Sequence, residues 1–248
     1  MIKLKSKEEI QIMAEGGRIL ATVLKQIEKM VKPGISTLEL DRATEALILK
    51  HGAIPAFKGY EGFPYSLCAS VNEIIVHGFP SARILKEGDI IGLDLGVLHK
   101  GYNTDMAVTV PVGNISFEAK RLIMVTKKAL KRGIKKVRAG VAIGDVGNTI
   151  QRYVEDQGLG VVHDLCGHGI GKDVHEDPRI PNFGVRHKGE VLEEGMVICI
   201  EPMVTIGDWR IKIAKDGYGY ATKDGSLGAH FEHTMAVTKD GARVLTEL

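Results

Sequence analysis

Few cysteines, little net charge and no long apolar run limit what this 248-residue chain can be. Its three cysteines are an odd number without CxxC spacing, which argues against a disulfide framework and predicts reduced thiols in the cytosol. The formal net charge of +2 argues against a dedicated DNA-binding protein. No apolar run approaches the roughly 18 residues that a membrane span needs, and residues 1–6 lack the apolar core of a signal peptide. We therefore expect a cytoplasmic protein that neither enters a membrane nor is exported.

Against this ordinary background, four carboxylates and one imidazole lie at or beside short apolar segments that are typical of strands. They are Asp94, Asp105, His168, Glu201 and Glu232. A carboxylate on a half-buried strand is costly unless a charged partner or a cation receives it. Four carboxylates exceed what one divalent ion needs, so the set predicts two metal ions bridged by carboxylates. Such a pair of ions makes water a nucleophile near neutral pH.

The second half of the chain resembles the first at an offset of 106 or 107 residues. Residues 31–35 fall on 137–141 at an offset of 106, and an offset of 107 places Asp94 on Glu201, carboxylate on carboxylate. We therefore predict an α+β fold in which residues 1–248 form a single domain. It consists of two related halves, about 6–115 and 116–248, and both donate acidic ligands.

Capping boxes begin the predicted helices. Ser6 and Ser36 are each followed three residues later by glutamate, which predicts helices over 7–31 and 37–51, with counterparts over 118–137 and 143–157. Short apolar, partly β-branched segments predict strands over 67–71, 90–95, 106–110, 197–200 and 234–238. A turn at Lys100-Gly101 would place Asp94 and Asp105 on adjacent antiparallel strands.

One predicted helix carries a row of basic side chains, which recur every four residues: Lys127, Lys128, Lys131, Arg132, Lys135 and Lys136. A solvated helix face is the simpler interpretation. A transient contact with an acidic surface such as ribosomal RNA is the alternative.

Three histidines lie in segments rich in glycine and proline. Glycines surround His168, which suits a histidine presented from a tight turn, and His175 and His77 lie in similar settings. Together with four acids near strands, they favour a hydrolytic site over simple packing. The nearby Cys166 is expected to be a buried, inert thiol rather than a zinc ligand.

The ordered motifs resemble the type I methionine aminopeptidases. They are His77-Gly78-x-Pro80, Asp94 with Asp105, Gly167-His168-Gly169-Ile170-Gly171, His175-Glu176-x-Pro178, Glu201-Pro202-Met203 and Glu232-His233-Thr234. The resemblance implies the pita-bread fold, in which two pseudo-symmetric halves form a curved antiparallel sheet with two helix pairs outside. It also implies removal of the initiator methionine from nascent proteins whose second residue is small.

The resemblance further implies a role for each candidate ligand. Asp105 and Glu232 match the residues that bridge two ions, Asp94 matches a ligand of one ion, and His168 and Glu201 match ligands of the other. Glu201 also matches the acid–base group that moves the proton of the attacking water.

The implied catalytic and substrate-binding residues lie elsewhere in the same motifs. His175 would contact the developing oxyanion, and His77 the scissile amide. The substrate-binding set is His77, His175, Tyr60, Phe63, Cys68 and Tyr218. Phe57 and Val174 stand where some relatives have a cysteine and a phenylalanine, so the shape of the methionine pocket stays open.

One nitrogen and several carboxylate oxygens suit Mn²⁺, Fe²⁺ or Co²⁺, with Zn²⁺ as an alternative. Nascent polypeptide N-termini are the expected partners, and a monomer is expected. Because no extension precedes Ser6 and no large insertion separates His175 from Glu201, we expect the short bacterial form.

Two other functions compete with this interpretation. An Xaa-Pro aminopeptidase or dipeptidase uses the same fold, but such enzymes usually carry an extra N-terminal domain. A binding protein that lost catalysis should have replaced at least one ligand, whereas all five are present.

Overall fold

The computed structural model describes residues 2–248 and contains, within them, four α-helices and fifteen short strands. The helices are α1 Lys7–Met30, α2 Thr37–Lys50, α3 Phe117–Lys136 and α4 Ile143–Glu155. The four predicted helices are confirmed, with ends that differ by one or two residues. No helix in the described part of the chain has the length and apolar character needed to cross a membrane.

Serine side chains begin three of these helices. Both predicted capping boxes are present: Ser6 accepts from the backbone N–H of Glu9, and Ser36 accepts from that of Glu39. In each case the glutamate carboxylate accepts the backbone N–H of the serine in return. These bonds satisfy backbone donors that the first helical turn leaves unpaired. Ser116 caps α3 in the simpler way, by accepting from the backbone N–H of Ala119.

The strands pair antiparallel, chiefly in one nine-stranded sheet. They are β1 Ile54–Pro55, β2 Cys68–Val71, β3 Ile74–Val76, β4 Ile90–His99, β5 Tyr102–Pro111, β6 Gly160–Val161, β7 Cys166–Gly169, β8 Glu176–Pro181, β9 Val197–Ile200, β10 Met203–Thr205, β11 Ile211–Ile213, β12 Tyr220–Thr222, β13 Gly228–His230, β14 Glu232–Val237 and β15 Ala242–Val244. The main order is β1-β4-β5-β14-β9-β7-β8, with β2 on β4 and β15 on β14. All five predicted strands are confirmed.

Equivalent hydrogen bonds recur in the two halves. The Gly34 N–H donates to the Leu85 carbonyl at 2.9 Å, and the Gly140 N–H donates to the Leu192 carbonyl at 2.8 Å. Each bond lies just before the second helix of its pair, and the two sites are separated by the offset found in the sequence. The α+β fold with two related halves and two helix pairs is therefore confirmed.

The alternation of side chains along the strands decides where the site can lie. On β4, Leu93 and Leu95 pack with the α1–α2 core, so the intervening Asp94 points to the opposite face. On β14, Met235 packs with the α3–α4 core, and Glu232 therefore also points away from the helices. The helices cover one face of the sheet, and the acidic groups gather on the other.

Candidate metal centre and cavity

Four side chains form a row across the sheet. Cys68 on β2 pairs with Asp94 on β4, Asp94 pairs with Ala107 on β5, and Ala107 pairs with Glu232 on β14. Directly paired residues point to the same face, so this register brings the two carboxylates together. Only the methyl group of Ala107 lies between Asp94 and Glu232, so the space between the two carboxylates is not filled by a larger side chain. Asp105 lies two residues along β5 and joins them on that face.

The hairpin between β4 and β5 fixes the position of Asp105. Lys100 and Gly101 both have positive φ, 48° and 82°, in the predicted tight turn, which pairs Gly96 with Asp105. The Thr234 hydroxyl then clamps Asp105 from the next strand. It accepts the Asp105 N–H at 2.9 Å and donates to the Asp105 carbonyl at 2.8 Å.

His168 approaches the carboxylates from β7. Its Nε2 lies 3.6 Å from Glu201 Oε1, 3.9 Å from Glu232 Oε1 and 4.0 Å from Asp105 Oδ2. Its Nδ1–H donates to the Gly169 carbonyl at 2.9 Å, so the lone pair of Nε2 faces the carboxylates. Glu201 follows the end of β9, as predicted, and Asn182 donates to its backbone carbonyl at 2.9 Å.

The prediction that His168 comes from a tight turn is wrong, because the residue lies within a strand. Its glycine neighbours are needed for close approach rather than for positive φ. A Cβ on Gly167 would collide with the carbonyl oxygen of Cys199, and one on Gly169 with that of Asp177. Only glycine lets the neighbouring segments pack this closely.

The pKa values of the buried carboxylates indicate that the cluster binds positive charge. Burial, followed by repulsion from neighbouring carboxylates, raises the pKa of Asp105 and Glu232 well above the usual range, and burial also raises that of Glu201. The pKa of Asp94 rises to about 6 through burial. Burial lowers the pKa of His168 to about 3, which keeps its imidazole neutral. The carboxylates can ionise together only when a cation is present.

Unpaired oxygens support the same conclusion. Asp94 Oδ1, Asp105 Oδ1 and Glu232 Oε1 are buried without a hydrogen-bond partner among residues 2–248. The carboxylates of these three residues bring oxygens within 4.8 Å of one another, and a second group within the same distance joins Glu232 to His168 and Cys199. Two overlapping donor groups that share Glu232 fit a pair of hard or borderline divalent ions.

The carboxylates open into a cavity of about 390 Å³ that contains every residue predicted for the site. Its lining includes Asp94, Asp105, His168, Glu201, Glu232, His77, His175, Tyr60, Phe63, Cys68 and Tyr218, together with Phe57 and Val174. The structure thus brings all the candidates together, including residues from loops in both halves of the chain. Their individual roles stay predictions.

Two histidines outside the ligand set lie at the same cavity. The His175 ring is 4.5 Å from the His168 ring, nearly perpendicular to it, and its Nδ1 lies 3.1 Å from the Tyr60 hydroxyl. His77 has a positive φ of 59°, which is rare for a histidine and marks a constrained position. Burial lowers the pKa of His77 to about 4, so this ring is neutral at physiological pH.

Aromatic rings form the wall farther from the carboxylates. Phe63 and Tyr218 have centroids 5.4 Å apart, and Tyr218 stacks on Phe79 at 5.0 Å. Asp216 holds this corner by accepting the backbone N–H groups of both Phe79 and Tyr218. A second cavity of about 520 Å³ adjoins the first and shares His77, His168, His175 and Glu201 with it.

A buried ion pair supports the loop that carries His175. Lys5 Nζ lies 2.6 Å from Glu176 Oε2, and the two side chains are only 5% and 7% exposed. The other oxygen of Glu176 accepts the backbone N–H groups of Lys172 and Asp173. The segment before α1 is thereby tied to the residue directly after His175.

The sequence interpretation missed three residues of the site. His230 and Cys199 lie beside the glutamates, and Ala107 lies between Asp94 and Glu232. His230 could have been found, because it precedes Glu232 by two residues, the period of one strand face. Burial raises the pKa of the Cys199 thiol well above the usual range, so the thiol keeps its proton in the metal-free protein.

The expectation for Cys166 is wrong in one respect. The residue is half-buried rather than buried, and its sulfur accepts the Nε–H of Arg179 at 3.2 Å.

Comparison with known proteins agrees with this geometry. The model of metallopeptidase family M24 matches residues 11–239. The chain belongs to this family. Within the M24 family, it is 49% identical to a methionine aminopeptidase of Clostridium perfringens over 246 residues, 99% of each chain. The crystal structure of a methionine aminopeptidase from Thermotoga maritima superposes with a TM-score of 0.98 at 42% identity, covering both chains completely.

Structures named as prolidases share the fold. A prolidase from Pyrococcus furiosus superposes with a TM-score of 0.80 at 26% identity, and the match covers 99% of this chain but only 65% of that one. The chain is therefore more similar to the methionine aminopeptidases in identity, geometry and length of match. Both comparisons bear out the pita-bread fold.

Proposed function

We propose that this M24 metallopeptidase is a methionine aminopeptidase, which removes the N-terminal methionine from polypeptides whose second residue is small. The observation that carries the proposal is the row of carboxylates that opens into a cavity with an aromatic wall. Full-length similarity to methionine aminopeptidases supports the same activity.

Five residues would hold two divalent ions, with Asp105 and Glu232 shared between them. Asp94 would complete one position, and His168 and Glu201 the other. When bound, the ions supply Lewis-acid activation of a water molecule and of the peptide carbonyl group. The mixture of carboxylate oxygens with one imidazole favours Mn²⁺, Fe²⁺ or Co²⁺ over ions that prefer thiolates, with Zn²⁺ as the remaining alternative.

The protein's own groups would move the protons. Burial raises the pKa of Glu201, which suits a carboxylate that accepts a proton from the attacking water and returns it to the leaving amine. His175 stands beside His168, where it would donate a hydrogen bond to the oxyanion that develops on the carbonyl oxygen. The neutral His77 would contact the amide of the bond to be cleaved.

The two adjoining cavities suggest how a peptide lies. The methionine side chain would enter the 390 Å³ cavity and contact Phe63 and Tyr218, while Tyr60 holds His175. The chain beyond the scissile bond would leave through the 520 Å³ cavity. Such a path suits extended N-termini of nascent polypeptides. We also propose a monomeric enzyme of the cytoplasm, as the sequence predicts.

A contact with the ribosome is a separate proposal. Five of the basic residues of α3 named above are exposed, and Lys136 is half-buried. Two of the exposed ones lie over the ring of Tyr153, with Arg132 4.3 Å and Lys128 5.6 Å from the ring centroid. Cosedimentation with ribosomes at low and high salt tests whether this face binds RNA, since a phosphate contact weakens as salt rises.

Peptide hydrolysis tests the proposed function directly. Met-Ala-Ser should be cleaved in the presence of Mn²⁺ and not after chelation, whereas Met-Lys-Ser, Leu-Ala-Ser and an Xaa-Pro peptide should not be cleaved. Asp94→Asn should abolish turnover, and Asp240→Asn, at an exposed turn, is the matched control. Comparable cleavage of Leu-Ala-Ser or Met-Lys-Ser would contradict the specificity. Preferred cleavage of the Xaa-Pro peptide would assign the chain to the proline-directed branch, and metal binding without hydrolysis would indicate a binding protein.

A further inference from the structure

His230 is a buried histidine beside the metal centre that the proposed mechanism does not use. It is the last residue of β13 and is only 2% exposed. Its backbone is fixed on both sides by Thr109, whose hydroxyl accepts the His230 N–H at 2.9 Å and donates to the His230 carbonyl at 2.8 Å. The side chain therefore has a defined starting point two residues before Glu232.

The ring nitrogen of His230 points at the glutamates of the site. Its Nε2 lies 3.5 Å from Glu201 Oε2 and 3.9 Å from Glu232 Oε2. His168 Nε2 faces the other oxygens of the same residues, at 3.6 Å from Glu201 Oε1 and 3.9 Å from Glu232 Oε1. Each glutamate thus stands between two imidazoles and turns one oxygen to each.

A buried ring nitrogen without a partner is destabilising, and His230 Nε2 has no hydrogen-bond partner among residues 2–248. The nearest carboxylate oxygen is Glu201 Oε2, and a separation of 3.5 Å closes to a hydrogen bond with a small rotation of either side chain. Carboxylates that bind metals are generally held by such outer hydrogen bonds, which fix the orientation of the ligand.

We propose that His230 is a positioning residue for Glu201, to which its Nε2–H donates at Oε2. This bond leaves Oε1 turned toward His168 and the ions, so one carboxylate can be held by His230 and still face the metal centre. The inference rests on the proposed function in one respect, namely that Glu201 takes part in the reaction. The competing role, in which His230 is itself a metal ligand, is decided by the experiment below.

Two substitutions separate the hydrogen bond from packing. His230→Gln keeps an N–H donor of similar reach, whereas His230→Leu removes it. The matched control is His233, three residues along the chain, whose Nδ1 lies 2.9 Å from the Thr246 hydroxyl rather than at the cavity. His233→Gln and His233→Leu therefore perturb a half-buried imidazole close by without touching Glu201.

Calorimetric Mn²⁺ titration of the metal-free protein, kcat and KM on Met-Ala-Ser, and thermal unfolding are measured for all four variants. His230→Leu should weaken Mn²⁺ binding and lower kcat by about 10–100-fold each, the usual effect of losing an outer hydrogen bond to a ligand. KM should stay within about threefold, because no substrate contact is lost. His230→Gln should restore most of both quantities, and the His233 variants should keep the parent affinity for Mn²⁺.

Three results would overturn the proposal. Parent-like Mn²⁺ affinity in His230→Leu would remove any link to the metal centre. An equal loss in His230→Gln and His230→Leu would make His230 a direct ligand, and an equal loss in the His233 variants would make the effect one of packing. If His230→Leu does not fold, His230→Met takes its place under the same criteria.

The calorimetric result does not depend on peptide cleavage. If the parent protein binds Mn²⁺ tightly but does not cleave Met-Ala-Ser, the proposed function is refuted. The Mn²⁺ titration of the variants would then still test the role of His230. Active parent protein with a parent-like His230→Leu would refute the inference alone.

Discussion

Removal of the Lys5 ammonium group should destabilise the protein although Lys5 lies outside the ligand set. Lys5→Met leaves the Glu176 carboxylate buried without the cation that now lies 2.6 Å away. Breaking a buried pair by removing one partner costs about 3–5 kcal/mol. Glu176 keeps its two backbone N–H donors on Oε1, so we expect the lower end, about 3 kcal/mol. For a chain of this size the unfolding temperature should fall by about 6–12 °C.

The loss should depend on pH. Burial raises the pKa of Glu176, but the ion pair with Lys5, the backbone N–H of Asp173 and the charge of Lys3 together outweigh burial, and the net pKa lies below the usual value. A lowered pKa stabilises the fold above the unfolded-state pKa, and that contribution is lost as the pH falls through the folded-state pKa. Without Lys5 the two backbone N–H donors would oppose burial with no cation in contact, so the pKa of Glu176 would rise and the carboxylate would be protonated more readily. The difference between parent and variant should therefore be smaller at about pH 5 than at about pH 7.5.

Scanning calorimetry checks both expectations. Lys100→Met is the matched control, because it breaks an exposed pair with Glu15 at 2.8 Å and should change little. Lys5→Met combined with Glu176→Gln should recover part of the stability, since no charge is then left buried. The reasoning fails if Lys5→Met unfolds at the same temperature as Lys100→Met, or if its deficit does not change with pH.

Three further predictions concern the site itself. Glu201→Gln should lower kcat by about 10²–10⁴-fold while the circular dichroism spectrum stays native, and activity within tenfold of the parent would show that another group is the base. His175→Ala should lower kcat by about 10²–10³-fold without loss of metal. His168→Ala should instead weaken Mn²⁺ binding, and excess Mn²⁺ should partly restore that binding. If calorimetry shows that His175→Ala loses metal and His168→Ala does not, their roles are reversed. Burial and neighbouring carboxylates raise the pKa of Asp105 and Glu232. In the metal-free protein, the contribution of these two groups to folding stability is therefore present below the unfolded-state pKa. It is lost as the pH rises through the folded-state pKa. Bound Mn²⁺ replaces those protons and should raise the unfolding temperature more at about pH 7.5 than at about pH 5.5, and a gain that does not change with pH would contradict this assignment.

Local sequence patterns predicted most of the fold. Ser6 and Ser36 mark helix starts because their capping bonds join residues three apart, which a short window of sequence contains. The hairpin that aligns Asp94 with Asp105 also depends on a local turn at Lys100. The internal repeat then indicated that two similar halves meet, although not how they meet.

Long-range register was beyond the sequence interpretation. The position of Ala107 beside Glu232 depends on β14 pairing with β5, and these strands are separated by more than 100 residues. The pair of Lys5 with Glu176 joins residues 171 positions apart. Nothing local distinguishes Lys5 from the exposed lysines nearby, and only packing shows that its charge is buried.

The central position of β14 in the sheet has a consequence for how the chain folds during its synthesis. This strand is made late in synthesis, yet it lies in the middle of the sheet, between β5 of the first half and β9 of the second. A growing chain can form both helix pairs early, but its sheet stays in two pieces until residues 232–237 insert between them. Glu232 arrives with that strand. The metal centre therefore cannot form until most of the chain has been translated. Because β14 pairs with a strand distant in the sequence, its insertion into the sheet is slow.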